Sequence, residues 1–133
     1  MLKAVIIFFV LVIGGIMYFQ HSLQNGSVLR YIDLHAQEKG IPEATYYIGD
    51  GYFLFQNLLE ATTYFLRVAQ RYPKHPLADD AYFNYLQCLD DMTSVGRADL
   101  ALGYRAYLEK FPEGKHVEMA KTRYGNYSTG SSR

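Results

Sequence analysis

Cysteine is nearly absent from this chain. The single thiol, Cys88, excludes an intrachain disulfide, and no CxxC or CxxCH motif points to zinc or attached haem. Net charge is missing as well, since 13 basic side chains balance 13 acidic ones. A nucleic-acid binder carries a basic stripe. None runs through this sequence, so nucleic acid is not an expected partner. The four histidines, His21, His35, His75 and His116, are scattered and lack metal-ligand spacing. A closely spaced acidic loop for calcium is lacking too. With no GxSxG, phosphate-binding loop or paired-carboxylate arrangement, the chain reads as a non-enzyme with no cofactor, no metal and no small-molecule substrate. Tryptophan is also missing, whereas tyrosine (13) and phenylalanine (8) are abundant. Aromatic rings are therefore expected to fill the core and to leave some rings exposed.

One long apolar run is present. Lys3 is followed by Ala4 to Phe19, sixteen uncharged residues. As a helix they would cover about 24 Å, against a hydrocarbon layer of about 30 Å. Lys3 can snorkel, and Tyr18 and Gln20 suit an interface. Phe19-Gln20-His21-Ser22-Leu23 is a poor signal-peptidase site, and no cysteine follows it for lipoprotein processing. Residues 1–21 are thus expected to be an uncleaved transmembrane anchor, touching lipid through residues 4–19. Lys3 on the short side places the amino terminus in the cytoplasm and exports the rest. Gly14 and Gly15 offer a narrow place where another membrane helix could pack.

Residues 22–40 read as a linker and an amphipathic helix. Asn25-Gly26 signals a break, Ser27 is a candidate cap, and Gly40 a stop. Val28, Leu29, Ile32 and Ala36 share one face of the helix expected through Lys39. A continuous helix from the membrane to about Glu38 is the alternative.

Beyond Pro42 a pattern occurs twice, thirty-nine positions apart. Phe65 aligns with Tyr104, Tyr72 with Phe111, Pro73 with Pro112, Ala81 with Ala120 and Tyr85 with Tyr124. Such a period marks stacked helical hairpins that bury their apolar faces on one another. Helices are expected at about 42–55 and 58–71, then to Met92, over Ala98 to Lys110 with Ala101, Tyr104, Leu108 and Phe111 inward, and from His116 to about Tyr124 as a cap. Residues 126–133 read as a polar disordered tail without core material. The fold class is all-α.

Ile48-Gly49, Tyr52, Ala61, Phe65 and Pro73 stand where the tetratricopeptide consensus has its own residues. The string Ala61-Phe65-Tyr72-Pro73-Pro76-Ala81 resembles the variant of bacterial envelope proteins, namely cell-division coordinators and outer-membrane assembly lipoproteins. The resemblance covers about Pro42 to Tyr124, within a repeat domain of 42–125. In the second unit Leu100 replaces the small residue and Asp91 stands at the aromatic position. The resemblance implies a short α-solenoid of hairpins behind the anchor, closed by a C-terminal capping helix. It further implies that the first helix of each hairpin lines a concave, partner-binding face, made here by Glu43, Tyr46, Asp50, Phe53, Tyr82, Tyr85 and Leu89. The simpler reading of those rings is core. A single-pass protein of the bacterial inner membrane with a periplasmic repeat domain follows, acting as a scaffold or accessory subunit that docks other subunits of a membrane complex. Self-association into an oligomer or filament is the alternative.

Two acidic pairs, Asp79-Asp80 and Asp90-Asp91, fall on one side of a helix. They suggest an acidic ridge for a basic partner, or simply a solvated face with a carboxylate near the helix start.

Overall fold

The computed structural model describes residues 2–129, with nothing said of the side chains of residues 2 and 3. The expectation for Lys3, and the end of the tail at residues 130–133, lie outside the described residues. Those residues form seven helices and no strand. The chain divides into two units, Met1–Ile41 and Pro42–Arg133.

In the first unit, α1 runs Leu2–Gln24. Every side chain from Ala4 to His21 is exposed, including Leu11 and Met17. Ala4–Gln24, 21 residues, is long and apolar enough to cross a membrane; at ~1.5 Å per residue it spans about 31 Å. The helix therefore outlasts the apolar run that ends at Phe19. Polar Gln20, His21 and Ser22 still satisfy the intrahelical ladder, and apolarity is no condition for continuing it.

The helix breaks at Asn25-Gly26, which rules out the continuous form. Gly26 takes a left-handed conformation (φ 74) that glycine adopts at no steric cost. Asn25 Oδ1 accepts the Ser27 N–H at 3.0 Å, while Ser27 Oγ donates to the Ser22 carbonyl. Ser27 is therefore not the side-chain cap expected of it; Asn25 makes the turn. Helix α2 spans Ser27–Leu34 and stops short of Lys39. His35 ends it by placing Nδ1 2.9 Å from the Tyr31 carbonyl, its ring stacked on Tyr31. Of the expected face, Ile32 and Ala36 are buried.

The second unit holds α3 (Ile41–Leu54), α4 (Leu58–Arg71), α5 (Ala78–Asp91), α6 (Arg97–Lys110) and α7 (Val117–Ser128). Helix α3 approaches α4 closely at Gly49, where a Cβ would lie 3.1 Å from the Phe65 ring. Ala61, Phe65 and Cys88 are fully buried together, as are Val68, Ala69 and Ala81. A third cluster joins Phe83, Leu86, Tyr104, Tyr107 and Ala120. In α6 the buried set is Leu100, Ala101, Tyr104 and Tyr107, whereas the expected Leu108 and Phe111 are only half-buried.

The loops joining α4 to α5 and α6 to α7 share one backbone design. Tyr72 and Phe111 each donate N–H to the carbonyl four residues back, at 3.0 and 2.8 Å. His75 then bonds to Tyr72 as Gly114 does to Phe111, and Ala78 to His75 as Val117 does to Gly114. Ala81 and Ala120 close the series on Leu77 and His116, both at 2.8 Å. Proline at 73 and 112 lacks an N–H and cannot continue a helix, so each chain must turn there. The thirty-nine-residue sequence repeat is thus also a repeat of local structure.

The carboxy-terminal expectation needs correction. Residues 126–128 belong to α7, and Tyr127 stacks on Tyr104 with centroids 6.1 Å apart. Its hydroxyl donates to Asp90, and the Arg97 guanidinium lies 5.4 Å over its ring. Asn126 accepts from Arg97 through its carbonyl. A lone aromatic within polar NYST carries no periodic signal, yet it supplies core material.

Candidate partner-binding face

The seven residues assigned to the face all lie on α3 and α5, and all are half-buried. Asn84 Nδ2 donates to the Tyr46 hydroxyl at 2.9 Å, tying the two helices together. Tyr46 also packs its ring 5.5 Å from Phe65. Tyr46, Phe53 and Tyr85 border the Ala61–Phe65–Cys88 cluster, whereas Tyr82, Tyr85 and Leu89 border the Phe83–Leu86 cluster. Each ring therefore has one side in the core and one toward solvent. Burial, with the carboxylates of Asp80 and Asp50 adding to it, raises the Tyr46 hydroxyl above its usual range. Burial raises Tyr82 likewise. Both stay neutral hydroxyls at physiological pH, able to donate or accept.

Glu43 is held at its end of α3 by His75, whose Nε2 lies 3.2 Å from Oε1. The Leu77 N–H points at the other ring nitrogen, Nδ1. That nitrogen must accept, so Nε2 carries the proton toward Glu43. On the α5 side, the Lys110 ammonium sits 5.4 Å over the Tyr82 ring and donates to the Ala69 carbonyl. Asn84 and Lys110 were not legible as members of this surface. Neither belongs to an apolar or repeated pattern, and only their cross-helix partners reveal them.

The acidic ridge does not exist as a free surface. Asp79 accepts from the Tyr107 hydroxyl and from the Lys115 N–H at 2.7 Å. Tyr107 in turn accepts the His116 N–H at 3.2 Å. Asp80 takes Lys115 Nζ at 2.7 Å and lies 2.8 Å from His116 Nε2. Asp90, its side chain 11% exposed, accepts from Tyr104 and Tyr127 and pairs with Arg123 at 3.1 Å. Asp91 is exposed. Three of the four carboxylates therefore bind their neighbours in the fold, because α6, α7 and the loop before α7 bring tyrosines and cations up to them. Burial works against ionised Asp80, but hydrogen bonds from Lys115 and His116 outweigh it and hold the carboxyl below its usual range. Burial, then Asp79, raises Tyr107; burial, then Asp90, raises Tyr104.

In α1, apart from the neighbouring helix backbone, nothing comes within 4 Å of a Cβ built on Gly14 or Gly15. Both are open on the exposed helix. No protein-family model matches the sequence, and no curated protein matches it.

Proposed function

We propose that this protein is a membrane-anchored helical-repeat scaffold of tetratricopeptide type. In this reading α1 crosses a bacterial inner membrane, the hairpins stand in the periplasm, and the first-helix face docks another subunit of an envelope complex. The observation that carries the proposal is the repeated loop geometry at an offset of thirty-nine residues, in which α4 leads to α5 as α6 leads to α7. Repeats of this kind present extended binding surfaces. Tyrosines that are half-buried offer a large, rigid contact area with a polar tip, which suits an interface anchor.

The test replaces Tyr46 and Tyr85 together by alanine. Association with the co-purifying partner should weaken by at least ~2 kcal/mol if both rings are anchors. The melting temperature of the detergent-purified protein is measured on the same variant. A large fall in melting temperature with unchanged partner retention would assign both rings to the core alone and remove the face.

A further inference from the structure

The turn joining α3 to α4 carries apolar side chains that the fold does not use. Leu54, Phe55 and Leu59 are 72%, 87% and 69% exposed. Tyr47, two helical turns before Leu54 on the same side of α3, is 63% exposed. From Leu54 to Leu59 the chain has no charge; Gln56 and Asn57 are its only polar side chains. The repeat provides an internal control. One repeat later, the positions of Leu54, Phe55 and Leu59 hold Thr93, Ser94 and Ala98 in the turn between α5 and α6. That turn therefore closes without large apolar side chains at the three matched positions, and their presence between α3 and α4 needs another cause.

Three amides of this turn are satisfied from within, while Asn57 makes no side-chain cap to the first amides of α4. Phe55 N–H bonds to the Gly51 carbonyl, Gln56 N–H to Phe53, and Asn57 N–H to Tyr52 at 2.9 Å. Gln56 takes φ 60, which makes the chain double back. Each amide bonded within the protein lowers the polar cost of leaving bulk water for a lipid interface. Aromatic and leucine side chains flanked by neutral amides suit that zone.

We propose that this tip, led by Leu54 and Phe55, dips into the headgroup region of the same bilayer that α1 crosses. The inference rests on α1 being a membrane anchor. The connection from Asn25 to Gly40, a few tens of Å even if extended, tethers the second unit to α1. Tethering raises the effective concentration of the surface and makes a small apolar contact sufficient.

The experiment uses the full chain in vesicles of phosphatidylethanolamine and phosphatidylglycerol. An Asn57→Cys variant carries an environment-sensitive fluorophore; buried Cys88, its thiol pushed up to about 12 by burial, stays unlabelled. Nitroxide lipids labelled near the headgroup should quench this probe, and Leu54→Ser with Phe55→Ser should cut that quenching about threefold or more. The same label at exposed Arg105→Cys should respond to aqueous iodide alone. Free quenching of the Asn57→Cys probe by iodide, with none by lipid, would overturn the proposal. Shielding from both, with energy transfer between copies, would overturn it in favour of a protein contact. Release of the unlabelled chain by alkaline carbonate would instead remove the anchor reading, and with it the tether.

Discussion

Asp79 shows how far one side chain departs from its place in the sequence. At the start of α5 it reads as a solvated helix-start carboxylate, yet it accepts from Tyr107 and from the Lys115 backbone. Asp79→Ala leaves a buried hydroxyl and an amide without their acceptor, at a cost of about 1–3 kcal/mol. Asp91→Ala, at an exposed position, should stay within about 0.5 kcal/mol of wild type in the same urea titration. Asp80 adds a pH dependence. Its folded pKa lies below the unfolded value of about 3.9, so its contribution is complete above that pH and is lost as pH falls through the folded value. Stability should therefore drop below about pH 4, and Asp80→Asn should flatten this acid limb while lowering stability at neutral pH. An unchanged acid limb in the variant would contradict the pairing with Lys115 and His116. None of these ties was legible from sequence, because tyrosine hydroxyls and carboxylates far apart in the chain carry no period.

At the scale of the element, the helix limits were legible wherever a backbone constraint sets them. Pro73 and Pro112 stop α4 and α6 within a few residues, and the expected 42–55 and 58–71 differ from Ile41–Leu54 and Leu58–Arg71 by a residue at most. Limits set by side-chain bonding were not. The His35 cap of α2 and the Tyr127 contact that extends α7 each depend on a particular hydrogen bond or ring contact, whereas the break at Asn25-Gly26 was legible as a dipeptide signal. Close helix approach was legible through small residues: Ala61 is fully buried against Phe65 and Cys88. Ala61→Leu should overpack that contact and cost about 1–3 kcal/mol, read as a lower melting temperature. Equal melting temperatures would mean that α3, α4 and α5 do not meet there as described.

For the molecule as a whole, one helix long enough to cross a membrane precedes a unit of paired helices with a repeated loop. The role proposed for that combination depends on the solvent side of α3 and α5, where Asp50 is half-buried and no hydrogen-bonded tie holds it among those described above. Glu109, exposed on α6 and paired with Arg105, is not among the residues assigned to that face. The most direct measurement places a photo-crosslinking side chain at position 50, and separately at 109, in the full-length protein in native membranes. The account predicts a discrete heavier adduct with a different protein from position 50 and none from position 109. An adduct of two copies of this chain from position 50, equal labelling from both positions, or no adduct at all would contradict it.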